Sequence, residues 1–284
     1  MGQLLLATWK AWRKDDATVL AAALAYFASV SVAPLLVLVV ALVGLFIGRQ
    51  TAQDQLLAQL RSVVGVQGTE FLAAALANAS QPTLASAAGI LSFALLIWAS
   101  SNVFTQLHNA LNKIWLVDDA PDGIRGTVRT TVRSRLLAFA MVLVAAFLLI
   151  VFMVLSTTLA ALTRFGILLL PGSEWIWQLG NYVAMFIIGT LLFAVIFKVL
   201  PDAHTAWRDV LLGAAVTSLL FGVGNYVLGL YLVHAGPAYG AVGSFAVFLL
   251  WVFYSAQIFF FGAEFAKVYS HRYGSGIRPR AANL

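Results

Sequence analysis

Glu264 is the one acidic side chain well inside an apolar run of this 284-residue chain. The run reads YGAVGSFAVFLLWVFYSAQIFFFGAEFAKV from Tyr239 to Val268, and nothing between Val242 and Ala263 is charged. Tyr254, Gln257, Phe261 and Glu264 recur at helical spacing, so three polar groups share one stripe. A carboxylate on a membrane helix is costly, and its default reading is functional. It would serve as a gate, a headgroup contact or the titratable group of a proton-coupled step. The plain alternative is an anchoring ion pair. Glu264 lies 22 residues beyond Val242, roughly 33 Å along a helix at about 1.5 Å per residue. That puts it at the far membrane boundary, with Lys267 one turn on. Lys198 and Arg208 in the neighbouring loop are further pairing candidates. Chemistry nearer the midplane would then belong to Tyr254 and Gln257.

The rest of the composition limits what else the chain can do. It is 62% hydrophobic and only 10% charged, against about 25% charged in soluble domains. This is a polytopic membrane protein. The absence of cysteine excludes disulfides, thiolate metal sites and thiol nucleophiles. His108, His204, His234 and His271 are scattered, and Asp202 is the only acid within a few residues of any of them. No metal is expected from that pattern, and no cofactor. Nothing resembles a P-loop, so ATP is not the direct driver. A dyad of Ser244 and His234 has no nucleophile motif behind it, and Ser244 reads better as helix packing. The chain is not expected to be an enzyme.

These residues need helices to hold them. The expected fold is all-α, a single membrane domain with six transmembrane helices at about 18–48, 84–104, 136–162, 175–200, 210–233 and 242–268. Short amphipathic helices are expected at about 3–14, 52–64 and 69–80. The first carries Trp9 and Trp12 beside Lys10, Arg13 and Lys14, an aromatic and basic border. Gly65 and Gly68 separate the other two. Asp15, Asp16 and Thr18 offer caps for the first span. That span is far longer than a signal h-region and reads as retained. Pro34 is its expected hinge, with Ser29 and Ser31 near enough to meet freed carbonyls. After the second span, Asn102, Gln106 and Asn109 share one face. A helix this polar lines an aqueous cavity or has left the bilayer, and the second is favoured. His108 sits there as a lone histidine among amides. The fifth span carries Asn225 and Tyr226, with Gly213, Gly222, Gly224 and Gly229 allowing close approach.

Alternating sides of six spans collect 14 of the 17 basic residues on one side. By the positive-inside rule both termini are cytoplasmic. The net charge of +6 is therefore a topology signal. No basic, aromatic-interleaved groove for nucleic acid is visible.

Four stretches together carry a resemblance over nearly the whole chain. They are AAALAYFASVSVAPLLVLVVALVG, WASSNVFTQLHNALNKIW, FKVLPDAHTAWRDVLLGA and the closing run through Gly262-Ala263-Glu264. The chain resembles the YihY/BrkB family of bacterial inner-membrane proteins, historically labelled ribonuclease BN. Where the family reads Gly-Ala-Glu-Leu-Asn, this chain has Phe265 and Ala266 after the glutamate. The resemblance implies a six-helix inner-membrane protein associated with serum resistance, envelope integrity and export of lipid A precursors. The scattered histidines argue against nuclease activity.

Two functions are expected from these readings. One is a transporter or flippase for a lipid or lipid-linked amphiphile. Its polar path would draw on Asn102, Gln106, Asn225, Tyr226, Tyr254, Gln257 and Glu264. Membrane lipids, with anionic headgroups at the cytoplasmic rim, would be its partners. The alternative is a non-transporting envelope-integrity scaffold, compatible with a homo-oligomer, that holds protein partners.

Overall fold

The computed structural model describes residues 2–78, 98–116, 174–235, 243–274 and 278–279. Positions 95, 140, 147, 151, 154, 155, 157, 158, 161–163 and 276 are described singly or in short groups. The elements in chain order are α1 (Gly2–Lys14), α2 (Ala17–Ile47), α3 (Arg49–Asn78), α4 (Asn102–Ile114), α5 (Glu174–Val199), β1 (Ala203–His204), α6 (Trp207–Ala235), α7 (Gly243–Tyr273) and β2 (Arg278–Pro279). Among the described residues, four helices are long and apolar enough to cross a membrane: Ala17–Ile47, Trp175–Val199, Trp207–Leu228 and Gly243–Tyr273. The expected spans at 84–104 and 136–162 lie largely outside the described residues.

The chain is an α-helical membrane protein, and α7 is its axis. One apolar cluster joins the start of α2 (Ala17, Ala21, Leu24), the end of α4 (Leu111, Ile114, Trp115), the end of α5 (Phe197) and the start of α6 (Val210, Ala214) to Phe259, Phe260 and Ala263 of α7. A second joins the later half of α2 (Val37, Val40, Val43) and α3 (Leu56, Val64, Leu72) to Phe248 near the start of α7. Phe197 meets Phe259 with ring centroids 4.9 Å apart, and Phe71 meets Phe248 at 5.2 Å. The two clusters thus mark the two ends of one bundle. Leu179, Ile187 and Leu191 of α5 and Leu219, Val223 and Val227 of α6 are exposed, which suits a surface solvated by lipid.

Local sequence explains several details. α2 runs as one helix through Pro34, which removes one backbone bond within it. Ser29 Oγ donates to the Tyr26 carbonyl at 2.7 Å, while Ser31 Oγ is buried without a partner among the described residues. Neither serine bonds the carbonyl four residues before Pro34. The capping expectation also needs correction. Asp16 is the N-cap of α2 but sits in the left-handed region (φ 53°) and makes no side-chain cap bond. In α3 the helix breaks at Gly65 (φ 79°, ψ −179°), a conformation open essentially to glycine alone. A Cβ on Gly213 of α6 would stand 2.5 Å from the Ala266 Cβ of α7. A Cβ on Gly262 would collide with Thr217 Oγ1. These two glycines let the α6 and α7 backbones approach closely at the Glu264 end.

Candidate functional site

Polar groups gather where α1, α4 and α6 meet the C-terminal third of α7. The side chains from Gly262 to Ala266 are all buried, so this part of α7 is enclosed on every face. Small residues make room for it, and apolar ones surround it, yet three charged groups meet there. Lys267 Nζ donates to Asp15 Oδ2 at 2.6 Å and stands 3.3 Å from Glu264 Oε2. Side-chain exposure is 12% for Lys267 and Asp15 and 0% for Glu264. The Lys267 approach to Glu264 is an ion pair off the angle that a hydrogen bond needs, and neither Glu264 oxygen accepts one among the described residues. Lys198 does not reach this cluster. It donates to the Thr205 carbonyl and stands over the Trp207 ring at 5.7 Å. Arg208 is exposed.

Asp15 lies in the turn between α1 and α2. Burial pushes its carboxyl up, but the hydrogen bond from Lys267, the neighbouring Glu264 carboxyl and the charges of Lys267 and Lys14 outweigh that. The net result holds Asp15 below its ordinary value of 3.8. One further bond ties α1 to α7: Arg272 donates to Gln3 Oε1 at 2.9 Å.

Two more polar clusters flank this one. Ser270 Oγ donates to Asp209 Oδ2 at 2.7 Å, and Gly274 lies so close that a Cβ there would collide with the Asp209 carboxylate. His108 Nε2 lies 3.0 Å from Asp202 Oδ2, and Asn112 Oδ1 accepts the Asp202 backbone N–H at 3.0 Å. His108 is therefore not a lone histidine. The loop after α5 brings it an acid from 94 positions away. Trp115 Nε1 donates to the Ala263 carbonyl at 3.2 Å, which fixes α4 beside Glu264. β1 and β2 pair antiparallel and lay the C-terminal segment on the same loop. Among the described residues, no group of three histidine or acidic side chains could hold a metal.

The other predicted path residues sit elsewhere. Asn225 Oδ1 accepts from Trp251 Nε1 at 3.2 Å between α6 and α7. Tyr226 is 71% and Tyr254 44% exposed, so both face outward from the described helices. Gln257, Asn102 and Gln106 are half-buried. Asp15, Asp202 and Asp209 escape sequence reasoning, because each lies beside a helix end where an acid reads as a cap or a solvated loop. The hint for Asp15 and Asp209 is that α7 carries Lys267 and Ser270 among apolar neighbours.

The model of the virulence factor BrkB family matches residues 8–283. The chain belongs to that family. It is similar to a UPF0761 membrane protein of Psychromonas ingrahamii, 23% identical over 269 residues, which cover 92% of this chain and 86% of that one. A UPF0761 membrane protein of Alteromonas mediterranea is 25% identical over 270 residues, 90% of this chain and 84% of the relative. One from Tolumonas auensis is 34% identical over 74 residues, 25% of this chain and 24% of the relative. No solved structure matches the chain.

Proposed function

We propose that this BrkB-family protein is a six-span bacterial inner-membrane transporter or flippase for a lipid or lipid-linked amphiphile, with both termini in the cytoplasm. The observation that carries this reading is the fully buried Glu264, which shares Lys267 with Asp15. Apolar side chains of similar volume hold helices as well or better, so a cluster of this kind points beyond packing. Buried ionisable groups on membrane helices mark pathways and gates more often than struts. Here the cluster joins the α1–α2 turn to the longest-buried part of α7, which is where a cytoplasmic gate would sit.

Tyr226 and Tyr254 suit this reading because they are exposed on apolar helix surfaces. An amphiphile keeps its tails in the bilayer and needs polar contacts only for its headgroup. Polar side chains along the protein–lipid boundary, with Asn225, Gln257, Asn102 and Gln106 behind them, serve that need. Lys10, Arg13, Lys14, Lys113 and Arg208 are exposed and would gather anionic headgroups at the rim. Pro34 would let α2 bend as the gate opens.

The test is lipid translocation in proteoliposomes, read by external quenching of a fluorescent phospholipid. Glu264→Gln and Tyr254→Phe, normally folded, lower the rate severalfold if the reading is right. Unchanged rates in both contradict it. A second reading, an envelope-integrity scaffold, is favoured by the way both chain ends are clasped onto one end of the bundle, through Arg272–Gln3 and β1–β2. Crosslinking in cells that recovers a stoichiometric protein partner, with no translocation by the wild type, would select it.

A further inference from the structure

Two carboxyl groups share one ammonium at the Glu264 end of α7. Lys267 gives its short hydrogen bond to Asp15, and Glu264 is left 0% exposed with neither oxygen accepting a bond among the described residues. With both acids ionised, one negative charge in the cluster is left over, and the Glu264 carboxyl that would bear it is closed to water. That state is strongly unfavourable, and a buried carboxyl escapes it by taking up a proton. The geometry points to Glu264 as a proton-binding site: its carboxyl takes one proton from the aqueous phase at this end, and Asp15 and Lys267 remain beside it as a balanced ion pair.

The choice of Glu264 over Asp15 follows from their partners. Asp15 accepts the 2.6 Å bond from Lys267 and is 12% exposed, so water and the ammonium both favour its anion. Lys267 holds the Asp15 carboxyl below its ordinary range. Glu264 has only the longer 3.3 Å approach to the ammonium and no exposure, so its anion is the less favoured of the two.

Other charged groups near α7 are engaged or turned away. On α7 itself, His271 Nδ1 lies 2.9 Å from the Lys267 carbonyl and the ring is exposed. Beside Asp15, Lys14 and Asp16 are exposed. α6 contributes Asp209, which takes Ser270 Oγ on a different face of α7. α4 contributes Trp115, bonded to the Ala263 carbonyl, and an exposed Lys113. α3 meets α7 at the opposite end, through Phe71 and Phe248.

Loss of the proton would change what Lys267 must do. A Glu264 carboxylate competes with Asp15 for the same ammonium, and the tie between the α1–α2 turn and α7 loosens. Binding and release of one proton therefore bias the position of α1 and the start of α2. The use of that proton to drive transport rests on the flippase reading; the proton site itself does not.

The experiment uses the full chain in lipid nanodiscs and dicyclohexylcarbodiimide, which couples to protonated carboxyls in apolar surroundings, with peptide mass spectrometry to locate the adduct. The expected adduct is on Glu264, declines as pH rises, persists in Asp15→Asn and is lost in Glu264→Gln. An adduct on Asp15 in place of Glu264, or one on Glu264 that ignores pH, overturns the assignment. Infrared spectroscopy covers the case in which the reagent fails to enter. A protonated-carboxyl carbonyl band present in the wild type and missing from Glu264→Gln supports the site, and identical spectra overturn it. Neither readout needs a transported molecule, so the proton site and the flippase reading stand or fall separately.

Discussion

Lys267 Nζ lies 2.6 Å from Asp15 Oδ2, across 252 residues of sequence. This bond fastens the turn at the start of the first span to the end of the last, and Glu264 is enclosed beneath it. Together with the Arg272–Gln3 bond it holds α1 against the bundle, although Leu5, Leu6 and Trp9 are exposed.

Removing the ammonium should cost far more than removing one acid. Lys267→Met leaves two buried carboxyls with no cation, a loss of about 3–5 kcal/mol by analogy with broken buried pairs. Glu264→Gln keeps the shape of the neutral carboxyl and leaves the Asp15–Lys267 pair intact, so its cost is expected below about 1.5 kcal/mol. Adding Asp15→Asn to Lys267→Met restores part of the loss. Thermal unfolding of the purified variants in one detergent checks the order.

Acid should weaken the same tie through Asp15. Its folded carboxyl sits below the ordinary 3.8, so its contribution is fully present above that pH. The contribution is lost as pH falls below 3.8 through the folded value. Wild-type protein is expected to lose thermal stability over that acid window more steeply than Asp15→Asn. Parallel melting curves over the window would count against the bond.

Gly65 offers a backbone test at the other end. Its φ of 79° and ψ of −179° exclude other residues, although a Cβ there would meet nothing within 4 Å. Gly65→Ala should therefore cost about 1–3 kcal/mol from strain alone. Because no neighbour is involved, trimming nearby side chains should not rescue it. Melting temperatures of the single and combined variants decide the point.

Gly262 tests close packing. Gly262→Ala drives a methyl into Thr217 Oγ1, and overpacking of this kind costs about 1–3 kcal/mol. Thr217→Ala removes that hydroxyl and should recover part of the loss in the double variant, whereas Thr217→Ser should recover little. Additive effects across this cycle would show that α6 and α7 are not in contact there.

What could be read from the sequence is what depends on near neighbours in the chain. The apolar length of α2, α5, α6 and α7, the break at Gly65 and the i, i+3 meeting of Glu264 with Lys267 are all local consequences of helical spacing. The partners of Asp15, Asp202 and Asp209 are not legible in this way. Periodicity tells which face of a helix is buried, but not which loop returns to cover it. Asp202 and His108 sit 94 positions apart, and only the packing of α4 against the α5–α6 loop reveals them as a pair. Tyr226 and Tyr254 show the reverse. Their mid-helix position suggests an interior path, yet burial depends on neighbouring helices, and both side chains face outward.

The most direct test of the central claim is the rate at which purified wild-type protein moves a fluorescent phospholipid across the bilayer of defined vesicles. Protein-free vesicles and vesicles holding an unrelated helical membrane protein serve as controls. The account predicts translocation well above both controls and a severalfold loss with Glu264→Gln. A wild-type rate equal to the controls, with an anionic and a zwitterionic phospholipid alike, would contradict it.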